Sequence, residues 1–209
     1  MNILVFGATG GTGRELVKQA ETLGHKVTAF VRDPAKLGKA LENCRVYMGN
    51  VADRASVERA MVSQDAAISA LGSGTLRRRS QELALGIHNI LGALETSCVK
   101  RFIYLSADTV SEARKDLNPL RRLAISTLLS NTAADHELDE AMIRQSRLEW
   151  IIVRPPLLTN SRHTGHYRFG ERLEPKTLFP IISRADLADF MLKQLADDTF
   201  VRRAPTVMY

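Results

Sequence analysis

The residues best suited to chemistry lie at the start of the chain, in Gly7-Ala-Thr-Gly-Gly-Thr-Gly13. This Gly-x-x-Gly-x-x-Gly run follows a short apolar stretch, 2–6, and opens an amphipathic one marked by Leu16, Val17, Ala20 and Leu23. Strand, glycines and helix in that order form the context of a dinucleotide-binding turn. Gly7 allows the tight turn, Gly10 lets backbone approach a pyrophosphate, and Gly13 lets the helix pack on the strand. The helix start supplies unpaired amides and the positive end of a dipole. Thr9 and Thr12 read either as hydroxyl donors to phosphate or as local caps.

The second set stands at the end of the next apolar run, 26–31. An acid at that position suits the ribose 2′-hydroxyl of NADH, whereas arginine suits the 2′-phosphate of NADPH. Arg32 occupies it. The competing acid, Asp33, precedes Pro34 and reads as a helix cap. Lys36 adds a second charge one turn on. The charges therefore favour NADPH over NADH.

The elements that must hold these residues follow from the alternation of apolar runs with helical periodicity. Strands are expected at 2–6, 26–31, 45–48, 66–71, 101–105, 150–153 and near 204–208. Helices are expected after Gly10, after Asp33-Pro34, around Val57, Ala60 and Met61, along Leu83, Ile87, Ile90, Leu91 and Leu94, along Leu138, Met142 and Ile143, and after Ser183-Arg-Ala-Asp186, which reads as a capping box. Strands separated by helices need crossovers. The expected fold is therefore α/β, a single-domain Rossmann fold over 1–209 with a doubly wound, mainly parallel sheet and helices on both faces. The stretches 107–131 and 157–182 carry little periodicity. Each follows a strand, so each is expected over the carboxyl edge of the sheet, on the substrate side.

Composition narrows the function classes. The chain has 209 residues, 44% hydrophobic and 25% charged, with a net charge of +6. Apart from Arg77-Arg78-Arg79 and Arg121-Arg122 the basic residues are scattered, so a surface that attracts phosphate-bearing small molecules is expected rather than a nucleic-acid partner. No apolar run approaches the roughly 20 residues of a membrane helix. A cytoplasmic protein is expected, a monomer or weak homo-oligomer. Cys44 and Cys98 have no metal-ligand spacing and read as reduced, partly buried residues. No metal site is expected.

Further segments carry a family resemblance: GATGGTGRELV, Val31-Arg32, Gly49-Asn50-Val51, Ala70-Leu71-Gly72, Leu105-Ser106-Ala107, Ile143-Arg-Gln-Ser146, Val153-Arg-Pro-Pro156 and Ile182-Ser-Arg-Ala-Asp-Leu-Ala-Asp189. In this order the chain resembles the atypical short-chain dehydrogenase/reductases of the NmrA-like NAD(P)H-binding group, and within it the flavin reductase and biliverdin reductase B type. The resemblance implies a phosphate loop of Gly7, Thr9, Gly10, Gly11, Thr12 and Gly13, with Arg32 and Lys36 at the 2′-phosphate. It implies Asn50 and Val51 beside the adenine, and Ala70, Leu71 and Gly72 along ribose and phosphates. Ser106 is implied near the nicotinamide, Pro155 and Pro156, followed by Leu157, at the carboxamide, and His136 near the cofactor.

The departures bear on catalysis. The Tyr-x-x-x-Lys pair of typical short-chain dehydrogenases is replaced by Thr132 and His136, so alcohol oxidation by tyrosinate chemistry is not expected. Leu157 stands where the biliverdin reductase B type has a histidine. Ser106 and His136 are the catalytic candidates; the alternatives are a hydroxyl satisfying a strand end and a helix-surface histidine. Arg77 to Arg79 read as a solvated loop or a phosphate clamp, and His163, His166 and Tyr167 as substrate contacts or part of a lid. Two functions follow: an NADPH-dependent reductase of a planar conjugated acceptor such as a flavin, quinone or tetrapyrrole, or an NADP(H)-binding sensor without turnover. An epimerase lacks its tyrosine.

Overall fold

Strand β1 (Asn2–Phe6) fixes the architecture, because Ile3 and Val5 are fully buried on one face and Leu4 and Phe6 on the other. A strand with no polar face needs helices on both sides. The computed structural model describes residues 1–38, 43–72, 81–110 and 130–209. Its main sheet has six parallel strands in the order β3-β2-β1-β4-β5-β6, with β2 Lys26–Val31, β3 Arg45–Met48, β4 Ala66–Ser69, β5 Arg101–Leu105 and β6 Glu149–Val153. The order reverses between β1 and β4, which is where an open α/β sheet forms its ligand crevice.

One face is covered by α1 (Gly11–Thr22) and α5 (Arg184–Lys193), through Leu16, Val17 and Ala20 against Leu187, Phe190 and Met191. The other is covered by α2 (Arg54–Met61), α3 (Gln81–Thr96) and α4 (Ser130–Gln145), through Val57, Met61, Ile87, Ile90, Leu94 and Ile143. Each fully buried side chain of this kind contributes about 1.5–3 kcal/mol. Gly24, at φ +79°, ends α1, and its amide bonds the Glu21 carbonyl.

Several boundaries differ from the sequence reading. The fourth strand stops at Ser69, leaving Ala70 and Leu71 at the sheet's edge, and the sixth begins at Glu149. The helix expected after Asp33 is only a 3-10 turn, Pro34–Lys36, held by Ala35 N donating to Asp33 Oδ1 at 3.1 Å. The stretch 157–182 contains three short strands, β7 (Leu157–Thr159), β8 (Arg168–Gly170) and β9 (Ile181–Ser183). They are too short for periodicity to register. β7 pairs parallel with β9, and the last strand, β10 (Thr206–Met208), pairs antiparallel with β8 while 203–206 meets the β6 edge of the main sheet through isolated parallel bridges, Ile151 with Arg203 and Arg154 with Thr206. The Phe169 ring of β8 lies tilted 5.2 Å from Phe190, which fastens this layer to α5, and edge-on 5.9 Å from Phe200.

The capping box at Ser183 is half realised. Ser183 Oγ accepts from Asp186 N at 2.9 Å, but the buried Asp186 carboxylate turns away to Thr164, Gly165 and Tyr209. Burial raises its pKa, but the Tyr209 hydroxyl and the Thr164 and Gly165 donors outweigh it and bring the value to about 2. Leu138, expected on a core face, is exposed, because the inward side of α4 carries Asp139 and Glu140 instead. Cys44 is buried and Cys98 exposed, so partial burial holds for neither strictly.

Candidate cofactor cleft and active site

The glycine loop is shaped by contacts that side chains could not survive. Gly7 has φ +77°, and a Cβ on it would lie 2.5 Å from the Ala70 carbonyl oxygen. A Cβ on Gly13 would lie 2.1 Å from the Gly7 carbonyl oxygen, so α1 rests directly on the turn after β1. Gly10 caps the helix in an extended conformation with no side-chain cap and no acid in the first turn. The first amides of α1 thus lack intrahelical acceptors and stay available to an anion. Thr12 and Gly13 are buried within this turn, while Thr9 and Gly10 face a cleft.

That cleft, of about 370 Å³, runs along the carboxyl ends of β1, β2 and β4. Gly7, Thr9 and Gly10 line one part of it, Ala70, Leu71 and Gly72 another, and Arg32, Val51 and Glu82 a third. The residues fit a dinucleotide: amides for the diphosphate, bare backbone for close approach, and a guanidinium beyond.

Glu82, in the first turn of α3, was not signalled by the sequence. It stands beside Arg32 at 3.4 Å and accepts from Asn50 Nδ2 at 3.1 Å. Asn50 Oδ1 in turn accepts from Ala52 N at 2.9 Å. α3 is held in place by Asn89, which donates to the Val51 carbonyl at 2.9 Å, and by Gly86, where a Cβ would meet Val51 at 2.6 Å. Lys36 lies outside the cleft lining: its ammonium pairs with Asp33 at 3.7 Å and its carbonyl accepts from Arg14 at 2.6 Å. Arg77 to Arg79 lie outside the described residues, as do Arg121, Arg122 and most of 107–131.

A second polar cluster sits at the end of β5. Ser106 is buried, and its hydroxyl donates to Glu140 Oε1 at 2.6 Å. Glu140 is a buried carboxylate that also accepts from Arg154 Nε at 3.0 Å and from Arg154 Nη2, with Arg144 3.6 Å away. Arg154 directly precedes Pro155 and Pro156, which are buried; Leu157 beyond them is half exposed at the start of β7. The strand-end reading of Ser106 expects the hydroxyl to serve backbone; it serves a carboxylate instead.

One turn back on α4, His136 Nδ1 lies 2.8 Å from the Tyr104 hydroxyl, which donates to Asp139 Oδ2 at 2.7 Å. His136 is therefore half-buried and bonded inward rather than a free surface histidine. Asp139 Oδ1 is buried with no hydrogen-bond partner among the described residues. Burial raises the Asp139 pKa; the Tyr104 bond lowers it, nearby Asp135 and Glu140 raise it, and the result is about 6. Burial also lowers His136, against the pull of Glu140 and Asp135, and it raises Tyr104 well above an ordinary phenol. Tyr104, Asp139, Glu140 and Arg154 were missed by sequence reasoning. The available signal was two adjacent acids three and four residues before Ile143, on the core side of a helix.

A parallel sheet with a glycine-lined switch-point cleft defines a Rossmann-type dinucleotide-binding protein. The model of the NAD(P)H-binding family matches residues 7–198, and the chain belongs to that family. It is 31% identical over 121 residues to the photosystem II assembly factor Ycf39 of Synechocystis, covering 55% of this chain and 36% of that protein. It is 39% identical over 88 residues to the isoflavone reductase homolog IRL of Zea mays, covering 38% and 28%. The chain thus spans about a third of the length of these curated relatives. Among solved structures, ChuY, an anaerobillin reductase from Escherichia coli O157:H7, superposes with a TM-score of 0.81 over 99% of this chain and 96% of its own at 20% identity, a likeness of fold. No helix among the described residues is long and apolar enough to cross a membrane.

Proposed function

We propose that the chain is an NADPH-dependent reductase that passes hydride to a planar conjugated acceptor such as a flavin, a quinone or a linear tetrapyrrole. The observation that carries this reading is the glycine-lined cleft with the Arg32 guanidinium at its far side. The bound nicotinamide supplies the hydride, and the chain supplies binding, orientation and exclusion of water. The amides of the first turn of α1 hold the diphosphate, and Arg32 releases Glu82 to take the 2′-phosphate. That exchange is feasible because the Arg32–Glu82 pair is exposed and such pairs contribute only ~0–1 kcal/mol.

The polar cluster agrees with an acceptor that needs little acid. Tyr104 donates to Asp139, so His136 faces Tyr104 with its Nδ1 proton and keeps Nε2 as an acceptor. The Ser106 hydroxyl is committed as a hydrogen-bond donor to Glu140. Electron-poor ring systems accept hydride without a strong proton donor, and the ChuY fold likeness points the same way. The commitment of Ser106 also favours a second reading, an NADP(H) sensor without turnover.

The two are separated by assaying NADPH oxidation by the purified protein with FMN, a quinone and biliverdin in turn. Turnover with at least one acceptor is expected. Tight NADPH binding with no oxidation across all three would favour the sensor.

A further inference from the structure

The first turn of α1 meets a cation that the cleft lining does not include. A Cβ on Gly11 would lie 2.6 Å from Arg184 Cδ and 2.7 Å from its Nε, so this side chain lies flat against the phosphate loop. Arg184 opens α5, and Gln19 Nε2 fixes that end of α5 to α1 by donating to the Ala185 carbonyl at 2.9 Å. Its Nη1 donates to Asn160 Oδ1 at 2.7 Å and reaches the Leu158 carbonyl at 3.5 Å, both at the end of β7. Among the described residues no carboxylate pairs with this guanidinium, although it is half-buried. The adjoining helix start has neither a side-chain cap nor an acid in its first turn. Unpaired amides and an unneutralised arginine therefore stand side by side, and a dianionic group completes both.

We propose that Arg184 binds the diphosphate bridge of the dinucleotide, which rests on the reading of the cleft given above. Nη1 stays with Asn160 while Nε and Nη2 offer a planar edge to phosphate oxygens, a geometry that lysine cannot reproduce. Because Asn160 lies just beyond β7, which follows Pro155 and Pro156, the same side chain ties the phosphate end of the cofactor to the strand on the acceptor side.

The test is calorimetric titration of NADP⁺ and NAD⁺ into the wild-type chain, Arg184→Met and Arg184→Lys. Methionine keeps the aliphatic stem against Gly11 and removes the charge together with the donors to Asn160 and Leu158, and an unchanged melting temperature checks the fold. The two dinucleotides share the diphosphate, so Arg184→Met is expected to weaken both by the same factor, ~10-fold or more, with Arg184→Lys intermediate. Affinities within about twofold of wild type for both ligands would overturn the assignment, as would a loss confined to NADP⁺, which would place Arg184 at the 2′-phosphate. Failure of the wild-type chain to bind either ligand would instead overturn the reading of the cleft.

Discussion

Arg32 and Glu82 carry the question of cofactor choice at the scale of single residues. The carboxylate stands 3.4 Å from the guanidinium and half exposed, so on the proposed NADPH reading it would compete with the 2′-phosphate for the same cation. Removing it frees Arg32 at little cost. Glu82→Gln is expected to tighten NADPH binding about two- to fivefold, as measured by fluorescence titration; weaker NADPH binding would mean that Glu82 itself holds the ribose. Asp139 sets a second residue-scale expectation. Its pKa of about 6 exceeds the 3.8 of a free aspartate, so the folded chain binds a proton that the unfolded chain has lost between those values. Stability from this group is complete below about pH 4 and declines as pH rises through about 6, by roughly 3 kcal/mol. Asp139→Asn should therefore be more stable than wild type at pH 8 in urea denaturation, with the advantage vanishing at pH 4. An equal difference at both pH values would show that Asp139 does not titrate as described.

At the scale of elements, the turn between β1 and α1 is the most constrained part of the cleft. A methyl on Gly13 cannot coexist with the Gly7 carbonyl, so α1 must lift from the sheet. Gly13→Ala is expected to cost about 2–3 kcal/mol in urea denaturation and to abolish dinucleotide binding; a variant that binds normally would contradict the role assigned to this contact. This turn was legible in the sequence because its information is local: strand, glycines and helix are consecutive, and each glycine answers a backbone need within a few residues. The strands of the main sheet were legible for the same reason, through buried runs such as 2–6 and 101–105. The β5–α4 cluster was not. Ser106 meets Glu140, Tyr104 meets Asp139, and Arg32 meets Glu82, each across more than 30 residues, so no spacing rule links them. The short strands β7 to β10 escaped for a different reason, since three residues cannot display a period and their partners, β9 for β7 and β10 for β8, lie more than 20 residues away.

At the scale of the whole molecule, the main sheet presents the ends of its strands to one crevice, and the layer formed by β7 to β10 is fastened to α5. The Asp186 carboxylate accepts from Thr164, Gly165 and Tyr209, so 164–165 and Tyr209 share one anchor. The phosphate loop and Arg32 stand at the ends of main-sheet strands, where consecutive residues announce them, and the proposed reductase reading assigns the acceptor to the appended layer, whose contacts no local motif announces. The most direct test of the reductase account is the ratio of kcat/KM for NADPH over NADH, with FMN or a quinone as acceptor, in the wild type and in Arg32→Asp. The account expects the wild type to prefer NADPH by ~10-fold or more and the variant to lose that preference. A ratio unchanged by the substitution would contradict it.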